Sequence, residues 1–449
     1  MRRTAAFALA LFATILGTPP ASAADPGVEK KTPLSVVSTK LADLPHVSEL
    51  PRWLTLKGQI RGRFEVPWGV GYKSGSHDFD YANRLRLDLG VNLGKYARAF
   101  AEMQDSRLFG YDQGAKPASS HNPVDLRQAW VELGKLEGGR VRLRVGRQEM
   151  RYADGWLVSA ADWGNNARVF DGTVLSANVF GFTADGFAAT VVQADGARVD
   201  RRKPAEHLYG TDWQHKKLIP GSTFEAFMMA KTNQFVTGEL GVKGDAATYA
   251  GGGRTVGKLP YDMDYSAMLV REWGFYGTDT ISAWGSSSML GWTMSEKGWK
   301  PRLSAEAMFA SGDGNAKDGS RGTFDQMYAG LHYFTGTADR IGWRNVRNLR
   351  AGVNFSPTKR LKVICNVHDY ALMTVKDGLY NTSGGKDYSY PNAPSRHVGL
   401  ETDAYFTYQV SAATLIGAGF GHMLPGGYLK YAGKTGAFTY PYVMLTRNF

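Results

Sequence analysis

Residues 84–93 read RLRLDLGVNL, and alternate positions belong to two different chemistries. Leu85, Leu87, Leu89, Val91 and Leu93 form an oily set; Arg84, Arg86, Asp88, Gly90 and Asn92 form a polar one. Arginine stays charged, and its planar fork takes two carboxylate oxygens at once. A file of such forks along a water-filled passage lowers the barrier for anions and opposes cations. The pattern recurs along the chain. Its polar parity collects the bases Lys57, Arg61, Arg63, Arg84, Arg86, Arg98, Arg142, Arg144, Arg302, Arg350 and Lys362. It also collects the acids Glu65, Asp88, Glu102, Glu132, Glu306, Glu401 and Asp403. Eleven bases against seven acids predict a positive interior, with the acids keeping any one site from holding a solute too tightly. The competing reading is that these charges pair across neighbouring strands and merely fill the space.

Other chemistries find little footing. His368 and Asp369 are adjacent and point to opposite faces of a strand, so they form no dyad. There is no Gly-x-Ser-x-Gly elbow, no histidine cluster with ligand spacing and no phosphate loop ahead of a helix. SGDGN at 311–315 has the acid and glycine pattern of a calcium turn around Asp313, but lacks the spaced ligands of an EF-hand. A solvated turn with a structural aspartate is the alternative, and no other cofactor is expected. The single cysteine, Cys365, excludes an internal disulfide and sits on the apolar parity. The formal charge of +12 permits a polyanionic partner without naming one, and nothing points to nucleic acid. Tyr and Trp in the prospective loops (Trp156, Trp163, Trp343, Tyr388, Tyr390) read as interface belts or loop packing, with sugar stacking as the alternative.

The elements that must carry these residues are strands. LTLKGQIRGRFE, VRLRV, RLSAEAMF, NLRAGVNF, LKVICNV and VGLETDAYF all alternate with period two. The connections alternate as well. LGKY, GKLEGG, SPTKR and QVS are tight, whereas 107–123, 148–172, 311–345 and 373–395 are long and rich in Gly, Asp and Asn. Short turns on one side and long loops on the other are the habit of outer-membrane barrels, and closure satisfies every backbone group within the bilayer. With 54 Gly, 22 Tyr, 22 Phe and 11 Trp, the composition suits such a wall. The opening MRRTAAFALALFATILGTPPASA has the basic start, short apolar run and small-residue cleavage site of a secretory signal peptide.

The sequence therefore predicts a signal peptide over 1–23, a periplasmic lead-in over 24–50 and an all-β transmembrane antiparallel barrel over 51–449. Strands are expected at 53–66, 83–94, 96–106, 124–134, 140–147, 173–181, 187–194, 206–213, 223–232, 252–258, 261–273, 279–293, 299–310, 346–356, 360–372, 396–408, 412–422 and 437–449. That makes 18, with 16 as the alternative because 200–260 alternates least clearly. The terminal Phe449 resembles the outer-membrane assembly signal, although Arg447 interrupts its apolar parity.

Longer stretches resemble the alginate export family. They are VDLRQAWVEL with VRLRVGRQEMRYADGWLVSAADWGNNARVFDG, then WKPRLSAEAMFASGDGN, LHYFTGTADRIGWRNVRNLRAG and RHVGLETDAYFTYQV with PGGYLKY. The resemblance runs from about Gly58 to Phe449. It implies an 18-stranded barrel with an electropositive pore. Matching motifs carry over Arg144 and Arg147 of RVGRQE, Arg302 of KPRLS and Arg350 of NLRAG as basic pore residues, and Glu401 and Asp403 of GLETD as acids. Arg147 departs from strict alternation at the mouth of its strand. The expected protein is a monomeric channel in the bacterial outer membrane that exports an anionic polysaccharide, an alginate-like polyuronate, by passive diffusion. Loops 148–172 and 311–345, or a periplasmic element, would gate it, and periplasmic secretion partners would supply the polymer. The alternatives are a general or small-anion porin, then an outer-membrane enzyme or a structural barrel.

Overall fold

The computed structural model describes residues 50–111 and 116–449. The expected signal peptide and, but for its last residue, the lead-in 24–50 lie outside the described residues. Eighteen strands build the wall. The first nine are β1 Leu54–Glu65, β2 Asp80–Asn92, β3 Ala97–Phe109, β4 Asn122–Gly134, β5 Val141–Gln148, β6 Phe170–Val179, β7 Phe182–Gln193, β8 Arg201–His215 and β9 Ser222–Thr237. The rest are β10 Lys243–Leu259, β11 Met263–Tyr276, β12 Asp279–Thr293, β13 Arg302–Ala310, β14 Val346–Phe355, β15 Leu361–Leu372, β16 His397–Ser411, β17 Thr414–Pro425 and β18 Phe438–Asn448. Each pairs antiparallel with its chain neighbour, and β18 returns to β1 from Gln59↔Asn448 to Glu65↔Tyr442. Closure leaves no sheet edge, the condition a bilayer imposes on strands.

Phe449 completes the seam. Its amide donates to the Gly58 carbonyl at 2.9 Å, and the Gly58 amide donates back at 2.8 Å. The Phe449 ring lies where a Gly58 side chain would stand, only 2.3 Å from the position of its Cβ. Arg447, on the outward parity, donates to Thr414 Oγ1 at 3.1 Å beside the neighbouring turn.

The leucines of the 84–93 stretch face outward, with Leu87 47 % exposed, while Arg84 on the other parity is 1 % exposed. That contrast sets the polarity of the whole wall: oil to the lipid, charge to the interior. The expected strands all exist, but several are longer than alternation predicts, β7 among them, which begins at Phe182 rather than 187. β8, β9 and β10 extend well past 206–213, 223–232 and 252–258. On β10 the inward positions Ala246, Thr248, Ala250 and Gly252 carry no charge until Arg254, so little polar parity announces the strand. Gly252 is required there, because a Cβ would come within 2.3 Å of the Leu269 carbonyl and 2.8 Å of the Phe227 ring.

The interior is packed as well as charged. Loop 149–169 and the greater part of loop 311–345, from about residue 323, turn inward instead of standing above the rim. Leu157, Val158, Phe324, Ile341 and Trp343 are fully buried in one apolar cluster with the wall residues Phe227, Met229, Met268, Val270 and Met308. The two loops also join each other: the Ser159 amide donates to the Tyr328 carbonyl at 3.0 Å, and the Tyr328 amide to that of Leu157 at 2.8 Å. The loop tryptophans Trp156 and Trp343 therefore serve loop packing, 5.0 Å apart and edge to face.

Candidate functional site

Strands β1 and β2 bring Arg61, Arg63, Arg84 and Arg86 together by simple register, Arg61 opposite Arg84 and Gln59 opposite Arg86. Four guanidinium groups on adjacent inward positions repel one another and need acceptors. The inward loop supplies them at Asp162, Trp163 and Gly164. Arg84 Nη1 and Arg86 Nη2 both donate to Asp162 Oδ1, at 2.9 and 2.7 Å. Arg61 donates to the carbonyls of Asp162 and Gly164, each at 2.8 Å, and to that of Trp163 at 3.2 Å. Arg63 donates to the Trp163 carbonyl at 2.5 Å and pairs with Glu65. The Trp163 ring is sandwiched, with the Arg63 guanidinium 4.2 Å from its centroid and His332 stacked at 3.8 Å. Enclosure by the barrel works to raise the Asp162 carboxyl even though half of its side chain is exposed to the interior, but Arg84, Arg86 and Arg61 outweigh it and hold it well below the usual range.

The opposite wall is acidic, and it receives the same loops through their amides. Glu225 on β9 accepts the Ala153 amide at 2.9 Å, and Glu272 on β11 accepts that of Asp325 at 2.8 Å. Glu206 on β8 accepts the Tyr328 hydroxyl at 2.6 Å. Glu401 and Asp403 on β16 do likewise: Glu401 Oε1 accepts the Ala338 amide at 2.9 Å, and Asp403 Oδ1 the Thr337 hydroxyl at 2.7 Å. These two acids were expected to space solute sites between arginines. They are instead the anchors of loop 311–345. His368, fully buried beside them, has its Nε2 3.3 Å from Asp403 Oδ2, while Asp369 points outward to Arg347 and His397.

The remaining expected residues fall into local pairs. Arg98, Arg142 and Arg144 surround the single Glu132 near the short-turn side, at 3.1, 4.0 and 2.6 Å. Arg144 also covers the Trp130 ring at 4.3 Å. Lys57 faces Asp88 across β1 and β2, and Asp88 in turn stands opposite Glu102. Arg302 reaches over Gly291 to Asp264 at 2.6 Å; a Cβ on Gly291 would meet its guanidinium at 2.0 Å. Arg350 pairs with Glu306 and donates to the Tyr333 carbonyl at 3.1 Å. Lys362 keeps the inward parity, opposite Thr407. Arg147 does not. It shares the parity of the lipid-facing Val145 and binds Asp171 at 2.7 Å at the long-loop end of β5.

Alternation also missed several interior charges. Arg127 occupies a bulge between β3 and β4, where it pairs with Glu102 and Glu149. Glu206, Asp212, Glu225, Asp264 and Glu272 add acids on β8, β9 and β11, against Lys231 and Arg254. The positive excess expected of the whole interior thus shrinks to a basic arc on β1–β5 facing an acidic one. AEHLYGTDWQ in β8 does carry a legible signal, with Glu206 and Asp212 on one parity and His207, Tyr209 and Trp213 on the other.

At the outer rim, Asp313 Oδ1 accepts the Asn315 amide at 2.8 Å, as a structural turn residue does. Among the described residues no three His, Cys, Asp or Glu side chains are arranged to hold a metal ion, so the calcium reading of 311–315 gains no ligand set. Glu239 nearby has its carboxyl pushed up from 4.5 to about 7, first by burial, then by its hydrogen bond with Asp313 and repulsion from Asp313 and Asp279. The folded chain holds a proton there that the unfolded chain releases earlier, so local stability is full below 4.5 and falls as pH rises through about 7. The Glu239 amide, bound to Asp279 Oδ2 at 2.7 Å, is expected to gain hydrogen-exchange protection at pH 5 over pH 8, intrinsic rates corrected. In Glu239→Gln that difference should vanish.

A closed 18-stranded barrel with a lipid-facing apolar surface and loops folded into a charged interior defines an outer-membrane β-barrel of the channel type. The chain belongs to the alginate export family, whose model matches residues 52–438. That description is one of export, not of catalysis. No curated protein matches the sequence. Solved structures share the fold at low identity. OccAB2 of Acinetobacter baumannii is 10 % identical with a TM-score of 0.59, over 88 % of this chain and 98 % of that one. OccK5 (OpdH) of Pseudomonas aeruginosa is 11 % identical with a TM-score of 0.57, over 88 % and 98 %. OccK2 (OpdF) of Pseudomonas aeruginosa, solved in complex with glucuronate, is 10 % identical with a TM-score of 0.57, over 88 % and 96 %.

Proposed function

We propose that the protein is a monomeric outer-membrane channel that exports an alginate-like polyuronate by passive diffusion past its interior arginines. The observation that carries this reading is the convergence of Arg61, Arg63, Arg84 and Arg86 on one point of the interior, in a barrel of the alginate export family. A polyuronate presents one carboxylate per sugar. The three arginines around Glu132 leave uncompensated charge near the short-turn mouth, and the four on β1 and β2 lie beyond it. Carboxylates handed from the first group to the second would be drawn inward without a single deep trap. In this reading periplasmic partners supply polymer and drive.

One observation favours a second reading, a porin for a small anion or oligosaccharide. Loops 149–169 and 311–345 pack the long-loop half of the interior, which suits a short solute better than a polymer unless the loops move. The glucuronate bound to OccK2 is such a solute in a barrel of the same fold.

Reversal potential across a planar bilayer, with oligouronates of increasing length added to each side, tests both. Anion preference with concentration-dependent block, weakened in Arg142→Gln/Arg144→Gln and deepening with chain length, is the expected result. Block that saturates at a single uronate moves the assignment to the small-solute porin. A pore with neither anion preference nor block overturns the arginine pathway.

A further inference from the structure

The four-arginine cluster is not empty; the chain fills it with a stand-in. A uronate unit offers a carboxylate flanked by neutral oxygen acceptors. Asp162 to Gly164 offers the same set: one carboxylate, bound by Arg84 and Arg86, and backbone carbonyls, bound by Arg61 and Arg63. Arg84 also donates to Gln59 Oε1 at 2.7 Å, so its fork is fixed whichever carboxylate it holds. Here the guanidinium of Arg84 is 1 % exposed, whereas the Asp162 side chain is 51 % exposed. Water in the interior reaches the carboxylate of the pair, and so can another carboxylate.

We infer that Asp162–Gly164 is an internal surrogate ligand, and that an incoming uronate carboxylate competes with it for Arg61, Arg63, Arg84 and Arg86, releasing loop 149–169. The inference rests on the polyuronate or small-uronate reading above and adds the regulation of that site. Release at this point is local. The same loop is held on the acidic wall by separate contacts, the Ala153 amide on Glu225 and Asp154 on Arg254 at 2.6 Å, so it can swing without leaving the barrel. Beyond Gly164 the loop is pinned at Asn165, whose Nδ2 donates to the carbonyls of Asn83, Arg107 and Ser120 at 2.9, 3.2 and 3.0 Å and whose carbonyl accepts from Ser106 Oγ at 2.9 Å. Release spreads only as far as these bonds yield. The ties after it are the Asn166 amide on the Ser119 carbonyl at 2.9 Å and the Arg168 amide on that of Ala160 at 2.6 Å. Competition makes the apparent affinity for solute the intrinsic one scaled by the fraction of time the surrogate is out.

The test compares wild type, Asp162→Asn and Asp154→Asn by oligouronate block in planar bilayers. Asp154 lies in the same loop but ties it to the other wall, so it controls for mere loosening. The expected result is a half-blocking concentration about tenfold lower in Asp162→Asn, and unchanged in Asp154→Asn. An unchanged value in Asp162→Asn, or an equal fall in both variants, overturns the surrogate while the uronate channel stands. Absence of block in all three overturns the uronate reading itself, and the surrogate with it. Should Asp162→Asn fail to fold, the wild type supplies the second measurement. Oligouronate is expected to speed hydrogen exchange of the Asn166 and Arg168 amides severalfold while leaving the Ala153 amide unchanged. Exchange at 166 and 168 that slows or stays constant as uronate saturates the channel overturns the inference.

Discussion

Trp343→Ala is expected to unseat loop 311–345 while leaving the barrel closed. The indole is fully buried, with Nε1 donating to the Phe309 carbonyl at 2.9 Å and the Trp343 amide donating to Gln326 Oε1 at 2.9 Å. Phe324 packs against it at 4.7 Å and Trp156, from the other inward loop, at 5.0 Å. The wall accommodates this cluster through Gly285 on β12, where a Cβ would stand 2.9 Å from the Trp343 ring. Truncation removes the ring that joins both loops to the wall, at a cost of about 3–5 kcal/mol. That cost falls on the loops, because the ladders of β12, β13 and β14 are formed by backbone groups alone. Single-channel conductance should rise severalfold, with new protease cuts confined to 311–345 and unchanged heat resistance of the folded barrel. Unchanged conductance and no new cuts would show that the loops are held chiefly by their polar anchors on Glu272, Glu401 and Asp403.

The wall was legible in the sequence for a physical reason. A lipid-facing position tolerates little but apolar side chains, so Leu85, Leu87 and Leu89 and their counterparts mark every strand whose inner face is polar. The interior obeys no such rule. On β9 the inward set is Glu225, Phe227, Met229 and Lys231, because part of the wall packs against loops rather than water. Alternation cannot separate two faces that both carry oil, and that is why 200–260 was the weakest region to read. Arg127 lies in a bulge, which shifts parity by one. Glu401 and Asp403 lie on the inner face of β16, but parity says nothing of the loop amides that bind them. The inward turn of loops 149–169 and 311–345 left only an indirect trace, tryptophans in segments that otherwise look like solvated connections.

Replacing Arg84 and Arg86 together by glutamine is expected to move conductance and selectivity in opposite senses. Both side chains bind Asp162, so their loss frees a tie made of charged hydrogen bonds, each contributing about 1.5–3 kcal/mol. Loop 149–169 then yields more readily and the open conductance rises. At the same time two fixed positive charges leave the interior. At about 8 Å from a passing ion in water they contribute together about 1 kcal/mol, or roughly fivefold in the partition of a monovalent anion. The uncompensated charge of Asp162 pushes the same way, so the reversal potential should shift toward cation preference. Asp162→Asn frees the same loop but removes a negative charge, and its reversal potential should shift toward anions. The two variants share the opening and differ in the sign of selectivity. Reversal potentials of both, at one salt gradient, therefore separate what the arginines do as a latch from what they do as a lining. If both variants open the pore and neither moves the reversal potential, the arginines on β1 and β2 hold the loop and take no part in choosing the ion.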